Sequence, residues 1–406
     1  MRPFYIFMGL ALLVSTTSKA QPDHHCPIQK TQDILTCALK NYPDVINTGL
    51  SVDRDATLIN IAMQRPNPEL ESKWVTGAME TSLFHTLELG GKRTARMRQA
   101  RAQVSLTQSK LLAAKEQVAL NTVLALYRLR QIRSELSVLQ EASSTFHRIL
   151  SRFRSRPLLS PEQEVSLSLF HMAKDEAKLQ QASLVAEETN LASYLTVATG
   201  LPYSQLKRWL PPPKAAWPKL NSSEEASLLN AEVKSAQAEL DLAQTNIKIA
   251  KSKAWPDFKV GPTVEIENFT GNNQTSVGGS FSLPLPILSQ NRGEIAYAKR
   301  DQLRANTNLE AVLRKNALER LKQVQRYQNA LQGLRLVSSL GSLSAKHHAI
   351  ERFFEKGLVP SSLVTESHRQ FFEIIQQRHE QELTALDALW RVYIIDGRVS
   401  LLEEHL

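Results

Sequence analysis

Between Lys92 and Phe153 the chain contains neither proline nor glycine. Such a run reads as a single helix, on the order of 90 Å long at 1.5 Å per residue. Ordinary globular helices make about three turns, so this chain must build an elongated, column-like body. Composition agrees: aromatics make up only 6% of residues, while Ala, Leu, Gln, Glu, Lys and Arg abound, the bias of long helices and coiled coils. Arg156-Pro157 ends the run. Ser160-Pro161-Glu162-Gln163 then opens a second arm, with Ser at the N-cap, Pro at the first helical position and Gln at the third. That arm is expected to reach Thr199 and stop at Gly200-Leu201-Pro202, closing a helical hairpin over 92–199.

The second half repeats the first. A helix from Thr31 to Met63, kinked or broken at Pro43 and Gly49, is matched by one from Glu224 to Lys253. Asn67-Pro68-Glu69-Leu70 is matched by Trp255-Pro256-Asp257-Phe258. A second proline-free helix runs from Arg292 to Phe354, turns at Gly357-Leu358-Val359-Pro360-Ser361, and returns in a last helix to about Leu402. The expected organisation is a first unit over 21–201, a proline-rich connector over 202–223, and a second unit over 224–406.

Each unit also carries a stretch of period-two alternation, the mark of a sheet with one apolar and one polar face. In the second, over 258–287, Phe258, Val260, Pro262, Val264 and Ile266 oppose Lys259, Gly261, Thr263, Glu265 and Glu267. After a turn at Asn268–Gln274, Thr275, Val277, Gly279, Phe281, Leu283 and Leu285 continue the apolar face. The first hairpin, over 69–89, turns near Gly77 and has His85 interrupting its apolar face. Strands of about ten residues suit a tilted crossing of a bilayer, and a half-buried soluble hairpin gives the same pattern.

The N-terminus bears on that choice. Arg2, the apolar run Tyr5–Val14 and the small-residue site Ser18-Lys19-Ala20 read as a secretory signal peptide over 1–20. No later run approaches eighteen apolar residues, so a membrane form of this chain would be a β-barrel. Cys26 and Cys37 are the two cysteines; in an oxidising compartment they suit a local disulfide. His24-His25-Cys26 forms a weak metal motif that reads as incidental. The net charge of +9 is spread along the helices without interleaved aromatics, which gives nucleic-acid binding little support.

No catalytic motif or cofactor-binding loop is present, so an enzyme is not expected. His347-His348, His368 and His379 read as solvated positions on polar helices. Glu162 and Glu366 lie just after the two helical tips. There they complement the helix dipole, or they form an acidic ring at a pore mouth. Four strands cannot close a barrel, so membrane insertion requires several copies; three would supply twelve strands.

The segments Asn67-Pro68-Glu69-Leu70, Leu87-Glu88-Leu89-Gly90-Gly91-Lys92-Arg93, Trp255-Pro256-Asp257, Leu283-Pro284-Leu285-Pro286-Ile287 and Asn291-Arg292-Gly293-Glu294-Ile295 resemble the TolC-like outer membrane efflux family in order and setting. The Leu-Glu-Leu-Gly-Gly-Lys-Arg form is similar to members paired with cobalt-zinc-cadmium-type exporters. The resemblance implies a mainly α protein with membrane β: a homotrimer with a twelve-strand barrel in the outer membrane and a long α-barrel through the periplasm. It implies a passive exit duct of a tripartite efflux or type I secretion system. Its partners would be a periplasmic adaptor (membrane fusion protein) and an inner-membrane RND or ABC pump. It maps adaptor docking onto Gly357, Leu358 and Ser361, with Leu159 and Ser160 in the first half, where Arg156-Pro157 replaces the family's Gly-Leu. It maps the pore aperture onto Glu162 and Glu366. A soluble periplasmic coiled-coil scaffold or an efflux adaptor is the alternative, although no lipoyl-like β domain for an adaptor is visible.

Overall fold

The computed structural model describes residues 26–155, 158–214, 216–220, 230–269, 272–288 and 290–398. The leader, His24-His25 and the Arg156-Pro157 tip therefore lie outside the described residues. The order is α1 (Thr31–Asn41), α2 (Pro43–Met63), β1 (Glu69–Val75), β2 (Ala78–Leu87), α3 (Lys92–Arg154), α4 (Pro161–Thr199), a short α5 (Tyr203–Leu206), α6 (Ala231–Lys253), β3 (Phe258–Phe269), β4 (Asn272–Ser282), α7 (Arg292–Leu336), α8 (Leu340–Glu355) and α9 (Ser361–Ile395).

α3 runs 63 residues without interruption, about 95 Å. Its start follows from Gly90 and Gly91, both at positive φ (70° and 73°), a conformation that costs glycine little. α4 begins in the capping box that Ser160 and Gln163 form. Ser160 Oγ accepts from the Gln163 amide at 3.3 Å, and Gln163 Oε1 accepts from the Ser160 amide at 3.2 Å.

Several boundaries differ from the sequence expectation. The first helical segment is two helices, because Pro43 starts α2 afresh after an extended Tyr42, whereas Gly49 stays helical. The first hairpin ends at Leu87. The second keeps its ladder as far as Phe269 and resumes at Asn272, so most of the expected turn is strand, and residues 270–271 lie outside the described residues. β4 stops at Ser282, ahead of Pro284 and Pro286, which cannot donate to a ladder. α6 begins at Ala231, with the Asn230 Oδ1 capping the Val233 amide at 2.8 Å; residues 221–229 lie outside the described residues. α9 ends at Ile395, where Gly397 takes φ 66° and Arg398 N–H returns to Tyr393 O at 2.8 Å, a Schellman-type stop.

The largest correction concerns the expected helix from Arg292 to Phe354. It breaks at Val337–Ser339 although it holds no proline. Ser339 caps the new helix through its Oγ, 3.3 Å from the Ser342 amide, and serine favours such local bonds over a helix interior. Arg378 of α9 collects the freed carbonyls of Leu334 and Ser338 at 3.4 and 3.5 Å.

α3 is the central column, packed by α2, α4, α6 and α9, while α7 packs on α6 and α9. The main core forms where α1, α3, α7 and α9 converge. It buries Leu35, Leu120, Val123, Tyr127, Tyr327, Leu386, Leu389 and Trp390, with Trp217 and Leu220 of the connector against it. Tyr327 Oη donates to Pro218 O at 2.7 Å, so the connector is stitched to this core. At the far end of α4, Asn41 Nδ2 donates to Thr199 O at 2.9 Å. Cys26 and Cys37 are joined by a disulfide beside it.

One buried carboxyl sets a pH dependence. Glu116 on α3 is buried and accepts the Ala231 amide at the start of α6 at 3.2 Å. Burial pushes its pKa up to about 7, against a smaller lowering by that amide. Folding therefore takes up a proton here. The stability from this group is complete below the ordinary value of 4.5 and is lost as the pH rises towards 7. Glu116→Gln, which keeps the acceptor oxygen, is expected to raise stability at pH 8 by on the order of 2–3 kcal/mol and to change little at pH 4. Urea midpoints at the two pH values check this; equal shifts at both would contradict it.

Candidate membrane face and helical tips

The four strands form one antiparallel sheet in the order β1-β2-β3-β4. The central pairing, β2 with β3, joins the two halves of the chain. Side chains segregate by face with few exceptions, among them Phe84, buried on the polar face, and His85 on the apolar one. Leu70 and Trp74, then Leu83 and Leu87, then Val260, Val264 and Ile266, then Val277 and Phe281 lie on one face, and all are exposed. Trp74 and Phe281 are 76% and 75% exposed. The opposite face carries Glu69, Glu71, Glu80, Ser82, Thr86, Lys259, Thr263 and Glu265, with Ser82 only 4% exposed. Ser82 and Thr263 hydroxyls bond across the strands at 2.7 Å, and Lys259 Nζ donates to Glu69 at 2.5 Å. The helices pack on one another and the strands on one another; among the described residues no helix is laid on the apolar face. A soluble half-buried sheet does the reverse and covers its apolar side. β1 and β4 each present one unpaired edge, which a sheet must cover, blunt or pair.

Sheet and columns meet through the segments that the sequence singled out. Lys92 Nζ donates to Asp257 Oδ1 at 2.6 Å, and Arg96 pairs with Glu88. Gly90 lies against the Trp255 side chain, so a Cβ there would come within 2.7 Å of it. The Gly-Gly-Lys and Trp-Pro-Asp segments thus interlock across the two halves.

At the tips, Leu158 is exposed and Leu159 half-buried, while Ser160 is committed to its cap. In the α8–α9 turn Gly357 takes φ 73°. Gly357 N–H bonds Phe354 O at 2.8 Å and Leu358 N–H bonds Phe353 O at 3.0 Å. Gly357 opens onto free space and Leu358 is exposed. Ser361 is turned inwards, its hydroxyl 3.0 Å from Ser166 Oγ on α4, so it ties the two tips together. Behind it Val364, Phe170, Phe146 and Phe354 make a local core. Glu162 is exposed in the first turn of α4. Glu366 is not a free acid: Arg369 donates to both its oxygens at 2.7 and 3.0 Å, and this bond, with Gln370, holds its pKa below the usual carboxylate range. Arg369 also reaches Glu373 at 2.6 Å.

The histidines overturn their surface reading. His347, His368 and His379 are buried, and only His348 keeps substantial exposure. His379 Nδ1 lies 2.6 Å from Glu135 Oε1. Arg128 donates to Glu135 at 2.8 and 3.2 Å and to Glu187 of α4 at 2.7 and 2.8 Å. Burial by itself would raise the pKa of Glu135; the bonds from His379 and Arg128 outweigh it and hold the carboxyl below its ordinary value. His347, His348, Glu351 and His368 gather between α3, α8 and α9. Their signal in the sequence was the i, i+3, i+4 spacing of Glu351 from His348 and His347, which sets all three on adjoining positions of one helix.

Comparison with known proteins agrees with this architecture. Residues 223–398 match the family described as outer membrane efflux protein. The cobalt-zinc-cadmium resistance protein CzcC of Cupriavidus metallidurans is 23% identical over 249 residues, 58% of this chain; the match spans little more than half of that relative, 57%. The open-state MtrE outer membrane channel of Neisseria gonorrhoeae superposes with a TM-score of 0.71 at 15% identity, over 91% of this chain and 89% of that one. The CmeC outer membrane channel of Campylobacter jejuni gives 0.68 at 14% identity, over 93% and 90%. The likeness to these channels extends over the whole architecture and shows a shared fold. The family's own sequence match falls on the second half.

Proposed function

We propose that this protein is a passive exit duct. Three copies join β1 of one sheet to β4 of the next, close twelve strands in the outer membrane, and carry a ring of helical columns into the periplasm. The observation that carries this reading is the sheet: apolar, exposed on one side, polar on the other, and open at both edges. Lipid covers such a face, and closure removes such edges. The columns offer matching support. Val165, Leu169, Met172 and Leu179 of α4 are exposed at the three-, four- and seven-residue spacings of a helix seam, which a second copy would cover. The two structural units of the chain would be quasi-equivalent staves of this wall.

In this reading the tips dock a periplasmic adaptor through Gly357 and Leu358 in one turn and Leu159 and Ser160 in the other. Glu162 then supplies the more effective aperture charge, since Arg369 compensates Glu366. An inner-membrane pump drives transport and sets the substrate; the likeness to a cobalt-zinc-cadmium resistance protein makes divalent metal ions the first class to assay.

Membrane fractionation and semi-native gels test the duct. A heat-sensitive trimer in the outer membrane is expected, whereas recovery solely from the soluble periplasm would establish the scaffold alternative. Gly357→Trp tests docking, because a Cβ there meets nothing within 4 Å and the left-handed φ adds only about 1–2 kcal/mol of strain. Trimer and insertion should persist while export falls at least about tenfold, a loss of about 1.4 kcal/mol in coupling. Normal export would remove Gly357 from the docking surface.

A further inference from the structure

We propose that the side-chain cluster between α3, α8 and α9, just inside the tip, binds one divalent transition-metal cation of the zinc class through His347, His368 and Glu351. His368 Nε2 lies 3.2 Å and His347 Nε2 4.0 Å from Glu351 Oε1. The three donor atoms all fall within 4.8 Å of one another. Bonds of 2.0–2.2 Å in a tetrahedral site separate ligand atoms by about 3.4 Å, so small side-chain adjustments complete the geometry.

Two further observations point to a ligand. His368 is 4% exposed, yet its Nε2 makes no hydrogen bond despite the nearby carboxylate. A buried nitrogen without a partner is costly, and a cation between it and Glu351 would satisfy both. The rings are also held in place beforehand. Ser367 Oγ lies 3.0 Å from His347 Nδ1, the outer bond that orients a ligating imidazole. Phe371 stacks on His347 with centroids 4.6 Å apart, and Phe146 meets His368 edge-on at 5.0 Å.

The carboxylate is fixed in the same way. Thr145 of α3 donates to Glu351 Oε1 at 3.1 Å, and His348 Nδ1 lies 3.3 Å from Oε2 and 3.3 Å from Glu141. A neutral imidazole and an ionised carboxylate are the forms that ligate. Two imidazoles and one carboxylate without a thiolate suit zinc, cobalt or nickel, not a soft monovalent ion. The ion would fasten α8 to α9 beside the break at Val337–Ser339. None of this depends on the duct reading.

The test uses the full-length protein in detergent, stripped with chelator and titrated with Zn²⁺ by calorimetry and with Co²⁺ by visible absorption. One ion per chain is expected, with the intense ligand-field bands of four-coordinate cobalt. His347→Gln with His368→Gln should weaken binding at least about a hundredfold, about 2.7 kcal/mol, while His171→Gln on exposed α4 should leave it unchanged. Undiminished binding in the double variant would overturn the site and point to the N-terminal histidines. No binding, or only the weak spectrum of hydrated cobalt in the wild-type protein, would overturn it as well. Should the double variant fail to assemble, the wild-type cobalt spectrum and the shape-conserving Glu351→Gln decide between these outcomes.

Discussion

Gly261→Ala is expected to abolish the membrane-inserted form. A Cβ on Gly261 would sit 1.8 Å from the Leu83 carbonyl oxygen, 2.7 Å from its carbon and 3.2 Å from Phe84 Cα. All three atoms are backbone, so no side chain can swing aside. The contact lies where β2 meets β3, between the paired residues Ser82↔Thr263 and His85↔Val260. Pro262, beside it, has no amide to donate, so this stretch of the seam is already thin in hydrogen bonds. Parting the strands there separates the two halves of the sheet, at a cost of about 3 kcal/mol or more. Gly278, with nothing within 4 Å, is the control, and Gly278→Ala should insert normally. Comparing heat-sensitive trimer in outer membrane fractions checks the pair. Wild-type amounts for Gly261→Ala would mean that the two hairpins do not meet in this register.

Arg320→Met should produce the largest loss in the columns. Arg320 on α7 donates to both carboxylate oxygens of Asp396, at 2.8 and 3.2 Å, just past the end of α9. Both groups are buried, at 3% and 6%. Methionine fills much of the volume but strands a buried carboxylate, which costs about 3–5 kcal/mol. Adding Asp396→Asn removes the stranded charge and should recover part of that loss; the non-additivity of the pair measures the interaction. Urea unfolding followed by helical circular dichroism reads both. Additive effects would mean that the two groups act independently.

The columns were legible because helices of this length are governed by local grammar. Lys92 and Arg154 bound α3 one residue from where proline and glycine placement set it, and Ser160-Pro161 opens α4 as its cap residues require. The break after Leu336 was not legible in the same way. It comes from serines that bond locally and an arginine forty residues on that takes up the loosened carbonyls, and neither acts through proline. The sheet's two faces could be read from alternation alone. Its central seam could not, since Ser82 and Thr263 are 181 residues apart and no local pattern specifies which hairpin neighbours which. The histidines failed for the same reason: burial of His347, His368 and His379 is decided by three helices at once. Glu366 is the opposite case. Its partner Arg369 stands one turn away, and the compensation was available from spacing.

The unequal arms give the chain two kinds of mechanical member. α3 is a continuous beam whose hydrogen-bond ladder passes unbroken along its length, so an axial load at the first tip reaches the sheet directly. The α7–α8 arm is a jointed strut. Three residues interrupt its ladder, and two long hydrogen bonds from Arg378 brace the joint. Bending energy concentrates at a joint, so the second tip is the compliant one, and the tip end of the chain combines one fixed stay with one hinged blade.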